Sequence, residues 1–186
     1  MSLEIINNAV QSQVLDANGL SFLKQALLDY IARNYGGESQ DSPDPAHLQN
    51  KLTQTLTYMF VFLYKEGWTS FIDDFLALAN KENNLPGVVM YLRILGSIHD
   101  EIADLMLSRP DSEAKRNAEL KDLIRERDMR KIAQSWKELL VRWNGKNDNV
   151  LEMTLKIIGK WVSWIDIHLV INEEMMNLLL PLVGRL

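Results

Sequence analysis

Many helical segments of this sequence carry two adjacent apolar stripes instead of one. In NVLEMTLKIIGKWVSW, Leu151, Leu155, Ile158, Val162 and Ile165 recur at spacings of three and four, and Ile157, Trp161 and Trp164 run beside them. Glu152, Lys156, Lys160 and Ser163 make the wet face. A helix packed on one neighbour needs one apolar stripe. A helix packed on its pair-mate and on the next pair needs two, so the pattern selects a stacked array.

The same reading extends along the chain. Leu48, Leu52, Leu56, Met59 and Leu63 form one helix face, and Gly67 is expected to stop that helix in the left-handed conformation. Trp68, Ile72, Phe75 and Ala79 form the next stripe, on a helix too close in sequence to be anything but an antiparallel neighbour. Val88, Leu92, Leu95, Ile102 and Met106 line a third helix. A charged stretch with only Leu120, Leu123 and Ile124 as anchors follows, and the phase resets at Met129 with Ile132, Trp136, Leu139 and Trp143. Asp128 is the expected break and N-cap there, and Asn172 the cap of the last helix. Between Trp164 and Asn172, IDIHLV reads as an extended apolar connector.

No stretch alternates as a strand does, so the class is all-α: a HEAT/armadillo-like α-solenoid, a superhelical stack of antiparallel helix pairs. The expected pairs are 3–35, 46–80, 87–143 and 149–184, with a polar, Gly- and Pro-containing linker at 36–45. The indoles of Trp68, Trp136, Trp143, Trp161 and Trp164 read as core between layers, each able to bury about 200 Å², and not as a stacking platform for bases. The closing MMNLLLPLVGRL is apolar on both sides, where a terminal repeat should be polar. That points to part of a longer solenoid and to self-association of the isolated piece through its end layers.

Several chemistries find no support. Cysteine is absent, which removes thiolate metal sites, disulfides and cysteine nucleophiles. His47, His99 and His168 lack metal-ligand spacing, and His99 reads as a hydrogen-bonded core histidine. No phosphate-binding glycine loop or nucleophile elbow occurs, so no cofactor and no enzymatic activity are expected. No apolar run approaches the roughly 20 residues that span a bilayer, and no leader precedes the first helix. The net charge of -5 confines any nucleic-acid contact to a local patch.

The order of motifs carries a resemblance. WVSWIDIHLVINEEMMNLLLPLV resembles a karyopherin-β exportin repeat, with a first helix ending in Trp164-Ile165, one variable residue, an apolar linker and a second helix. NKLTQTLTYMFVFLYKEGWTSFIDDFLAL is similar to another, where Lys51 precedes Trp68 and the Phe71-Ile72 pair. YLRILGSIHDEIADLMLSR, LKDLIRERDM and GKWVSWIDI look like the transfer-RNA-exporting branch. The likeness spans the chain apart from its first dozen residues and the stretch from Ser39 to Pro45.

The resemblance implies an amino-terminal part of a HEAT-repeat receptor that binds RanGTP and mature tRNA in the nucleus. Such a receptor passes nuclear pore proteins, releases its cargo in the cytoplasm on GTP hydrolysis, and shuttles between the two compartments. It also implies inward-facing second helices whose amino-terminal members grasp Ran. Lys24, Asp29, Thr69, Asp73 and Asp74 are the candidates for that contact, with plain solvation as the alternative.

Between Glu113 and Lys131 stand seven basic residues, Lys115, Arg116, Lys121, Arg125, Arg127, Arg130 and Lys131, against five acids. They read either as a solvated helix laced with i,i+4 pairs or as a ridge meeting RNA phosphates. Two rival functions stay open: a generic helical-repeat scaffold for a protein partner, which the acidic balance favours, and an exporter of small hairpin RNAs. A closed helical enzyme finds no convergent polar pocket in the sequence.

Overall fold

The computed structural model describes residues 3–37, 44–104, 106 and 108–183, with the backbone alone at Val183. Among the described residues all repeating structure is helical: α1 (Leu3–Gln11), α2 (Ala17–Tyr35), α3 (Ala46–Leu63), α4 (Phe71–Asn80), α5 (Leu85–Ile102), α6 (Asp111–Arg127), α7 (Met129–Trp143), α8 (Asp148–Trp161) and α9 (Glu173–Val183), with one 3-10 turn at Ile167–Leu169. The chain forms two compact units, residues 1–101 and 102–186.

In the first unit, α2 begins where the Asp16 carboxylate accepts the Gly19 N–H at 2.7 Å, relieving one of the four unpaired donors of a helix start. Grouping by chain order puts α1 with α2, whereas the structure lays α1 along α3. The centre of that contact is polar: Asn7 Nδ2 donates to Gln54 Oε1 at 2.7 Å, and Thr55 Oγ1 donates to Asn7 Oδ1 at 3.4 Å. Aromatic rings then weld α3 to α4. Phe60 lies 5.1 Å from Phe71, Trp68 lies 4.8 Å from Phe71, and Phe71 lies 4.9 Å from Phe75; all four are buried.

Gly67 does its work differently from expectation. Its φ is not in the left-handed region; among the described residues the glycine with positive φ is Gly145. Helix α3 ends at Leu63, and the Trp68 N–H folds back onto the Leu63 carbonyl at 2.6 Å. A Cβ at Gly67 would sit 2.8 Å from Leu63 Cδ2, the tip of a half-buried side chain, so a larger residue there needs that side chain to shift.

Asn84 ties three elements together. It is fully buried, and its Nδ2 donates to the Tyr35 carbonyl at 2.7 Å and the Leu78 carbonyl at 3.1 Å, while its Oδ1 accepts from Gly87 N–H at 3.2 Å. The ends of α2 and α4 and the start of α5 therefore meet on one amide. Farther along, Thr57 Oγ1 donates to Ser97 Oγ at 2.7 Å, linking α3 to α5. The stripe assigned to α5 holds through Ile102, but Met106 lies beyond the helix in a turn and is 92% exposed.

Of the linker expected at 36–45, residues 38–43 lie outside the described residues. Both flanks are bonded: Lys81 Nζ donates to the Gly36 carbonyl at 3.0 Å, and Asp44 accepts the Tyr30 hydroxyl at 2.8 Å and the Tyr35 hydroxyl at 2.6 Å.

In the second unit, the break at Asp128 is present, since α6 ends at Arg127 and α7 begins at Met129. The Asp128 side chain makes no capping bond. It is buried and pairs with Lys131 Nζ at 2.6 Å, which holds its carboxylate across the first turn. The charged segment is a helix in its own right and packs on α7, which also packs on α8 and α9. Asn172 caps α9 by accepting the Met175 N–H at 2.9 Å. The connector before it is not extended. Asp166 accepts the His168 N–H at 3.0 Å and closes a 3-10 turn, because an Asx-type bond two residues on favours a turn over a strand.

Trp68, Trp136, Trp143 and Trp161 are buried. Trp136 meets Trp161 edge-on at 5.8 Å, between α7 and α8. Trp164 is half-buried and rests on Trp161 at 4.8 Å, so it lies at the rim of the core and not inside it. At the far end, Leu180 and Ile171 are 64% and 55% exposed, and residues 184–186 of the apolar tail lie outside the described residues.

The Asp44 clasp carries a pH signature. Desolvation, then the hydrogen bond to Asp44 and its negative charge, push the Tyr30 hydroxyl from 10.0 up to about 12. The folded state holds this proton more tightly than the unfolded state does. The clasp's contribution is therefore complete below pH 10 and is lost as pH rises through about 12. Tyr30 is 40% exposed, so solvent screening keeps the effect modest. Comparing wild type with Tyr30→Phe by denaturant unfolding over that window, the wild type should lose stability more steeply. The difference should shrink but persist when Asp44→Asn is added to both, because the burial of the Tyr30 hydroxyl remains.

Candidate functional site

The seven basic positions of the charged stretch do not form one ridge. Successive residues on a helix turn by about 100°, which places Arg116 and Arg127 on one side of α6 and Lys121 with Arg125 on another. Arg116 folds onto its neighbour, with Nε and Nη2 donating to Asn117 Oδ1 at 3.1 and 3.0 Å. Lys131 is held by Asp128. Lys115 and Arg127 are exposed and Lys121 is half-buried.

Arg125 is built into the scaffold. Its Nε donates to the Trp164 carbonyl at 2.8 Å, its Nη1 donates to Asp122 Oδ1 at 2.5 Å, and its guanidinium lies 5.6 Å from the centre of the Trp164 ring. A planar cation suits this place, because it bonds an orphan carbonyl beyond α8 while covering an indole face.

Arg130 stands elsewhere, on the exposed side of α7. It lines a hollow of about 200 Å³ with Gln134 and Lys137 from α7 and His168, Asn172 and Glu174 from the chain leading into α9. Lys137 and Glu174 form an ion pair across it. Lys137 and His168 escaped the sequence reading. The available signal was the spacing of Arg130, Gln134 and Lys137, which puts them on one helix face.

The Ran candidates of the first unit also divide. Lys24 Nζ donates to the Gly67 carbonyl at 3.1 Å and sits 5.3 Å from the Trp68 ring centre. Asp74 accepts Trp68 Nε1 at 2.7 Å and Ser70 Oγ at 3.1 Å. Both therefore serve the turn between α3 and α4, and Trp68 could not bury its indole N–H as cheaply without Asp74. Asp29 is exposed and accepts Gln25 Nε2 at 2.9 Å, while Thr69 and Asp73 are exposed at the entrance to α4.

Residues 45–185 match the family described as Exportin 1-like protein. The chain belongs to the exportin family. Its all-helical structure is that of the family's HEAT-repeat solenoids. The exportin-family chain is similar to proteins named Exportin-T: 77% identical over 183 residues to that of Chaetomium globosum, 69% over 185 to that of Podospora anserina and 64% over 190 to that of Neurospora crassa. These matches cover 98%, 100% and 100% of this chain and 18% of each relative. This exportin-family chain thus spans about a fifth of the length of the relatives it matches.

Scaffold and surface cations should separate in the exportin-family chain by stability. Arg125→Gln and Lys24→Met each remove a charged donor from a carbonyl in the turn beyond a helix. Each should cost about 1 kcal/mol in urea unfolding, below the usual range for charge-assisted bonds because both sites are partly solvated. Lys115→Ala should stay within about 0.5 kcal/mol of wild type.

Proposed function

We propose that this chain is a segment of a nuclear export receptor that binds RanGTP and mature tRNA together. The receptor carries the tRNA past nuclear pore proteins to the cytoplasm and so shuttles between nucleus and cytoplasm. The observation that carries the reading is the near-complete alignment of the chain with several proteins named Exportin-T, at identities of 64–77%. The segment acts by binding and not by catalysis. No helix among the described residues is long and apolar enough to cross a membrane.

In this reading Ran and RNA favour the same arrangement of the repeats, so each raises the affinity of the other by the same factor. Asp29, Thr69 and Asp73 remain the Ran-facing candidates, while Lys24 and Asp74 support them through the α3–α4 turn. The net charge of -5 and the internal use of Arg116, Arg125 and Lys131 favour a second reading, a scaffold for a protein partner alone.

Binding of labelled tRNA to the receptor-length protein, with and without RanGTP, separates the two. The export reading expects RanGTP to raise tRNA affinity at least about fivefold, the lower range of allosteric coupling. Absence of RNA binding in both states leaves the scaffold. In the same protein, Asp29→Lys with Asp73→Lys should weaken RanGTP binding about tenfold, while Asp29→Asn with Asp73→Asn, which keeps the side-chain shape, should weaken it less. Unchanged Ran affinity returns both carboxylates to solvent.

A further inference from the structure

We propose that the hollow between α7 and the start of α9 is a seat for an RNA backbone phosphate, held by Arg130, Lys137 and His168, with Glu174 as its competing occupant. The inference rests on the RNA-binding reading above and assigns that contact to particular residues.

Of the seven cations in the charged stretch, Arg116, Arg125 and Lys131 are bonded to Asn117, Trp164 and Asp128. On α6, Lys115 and Arg127 are exposed and Lys121 is half-buried. Arg130, on α7, lines a concave site.

Arg130 and Lys137 are seven residues apart, two helical turns, which puts them on one face of α7 about 10.5 Å apart along its axis. Lys137 also lines a second, more open hollow of about 360 Å³ with Glu138, Val141 and Arg142. The exposed stripe of α7 is thus a shallow track with a deeper seat at its Arg130 end. Gln134 lies between the two cations but is turned along the helix, donating to Glu138 Oε1 at 3.0 Å.

Arg130 and Lys137 contribute two positive charges and Glu174 removes one, leaving one positive charge against the single negative charge of a phosphodiester. The Arg130 guanidinium offers paired N–H donors that match phosphate oxygens, and the His168 ring adds an N–H from the opposite wall. Lys137 is pre-positioned by Glu174, whose side chain is 69% exposed. An ion pair so open to water holds weakly, so an arriving phosphate can take Lys137 over and release Glu174 to solvent. The floor is Ala133, Leu169 and Met175. Such a seat holds a backbone by charge and shape without reading its sequence.

The test measures tRNA affinity of the receptor-length protein, with RanGTP present, as a function of salt. Arg130→Gln and Lys137→Met should each lower affinity about fivefold at low salt and reduce the slope of log affinity against log salt by about 1. Glu174→Gln should raise affinity about twofold, a gain that damaged folding cannot produce. Lys156→Met, a cation exposed on α8 and paired with Glu152, should leave the slope unchanged. The seat is overturned if wild type binds tRNA and the Arg130 and Lys137 variants keep its slope. It is also overturned if Glu174→Gln weakens binding. If the same variants instead lose RanGTP and keep the RNA slope, the hollow belongs to a protein carboxylate. Wild type that binds no tRNA sinks the export reading itself, before any variant is compared.

Discussion

Carbonyl groups at and just beyond the helix ends set the terms for this structure. The last four carbonyls of a helix lack partners within it, and the turns that follow leave further ones to be bonded. Here the donors come from distant side chains. Lys24 reaches the Gly67 carbonyl, Lys81 the Gly36 carbonyl, Asn84 the carbonyls of Tyr35 and Leu78, and Arg125 the Trp164 carbonyl. Three of these four residues are cations, and their bonds lie at the solvent-exposed margins of the turns that follow α2, α3 and α8. Apolar stripes decide that helices stack. These bonds decide where each one stops and which neighbour its end must meet.

That division explains what the sequence could and could not disclose. The stripes through Leu52, Leu56 and Met59, through Ile72, Phe75 and Ala79, and through Ile132, Trp136 and Leu139 are local periodicities, and they mark real helices whose striped residues are buried. The break at Asp128 and the cap at Asn172 are local too. Lys24 and Gly67 are 43 residues apart, Lys81 and Gly36 are 45, and Arg125 and Trp164 are 39. No window reveals such a pairing, so Lys24 and Arg125 read as free charges awaiting partners. Asn84 stands beside Asn83 just before Leu85 and Pro86, and nothing local distinguishes a buried amide from a solvated one. The 3-10 turn at Ile167–Leu169 was missed for another reason: its apolar residues suggested an extended run, while the bond from Asp166 that shapes it depends on a single side chain.

The candidate site shows the same sorting. A count of basic residues over α6 and α7 overstates the charge available to a ligand, because Asn117, Asp122, Asp128 and the Trp164 carbonyl draw on it first. What is left depends on curvature as much as on charge. Arg130 and Lys137 matter because the chain from His168 to Glu174 folds back beside α7 and turns a convex face into a hollow. The 3-10 turn that the sequence hid is therefore the element that gives the hollow its second wall.

Trp164 has a consequence beyond packing. It is half open to water, tilted against the buried Trp161, and covered by a guanidinium from a different helix. Indole emission is sensitive to hydration and to nearby charge, so this pair forms an intrinsic optical gauge that needs no attached dye. Any event that draws Arg125 away from the ring, by moving α6 against the end of α8, will register there as a change of colour and yield. The protein thus reports on its own internal shear at the place where two of its helices are stitched together.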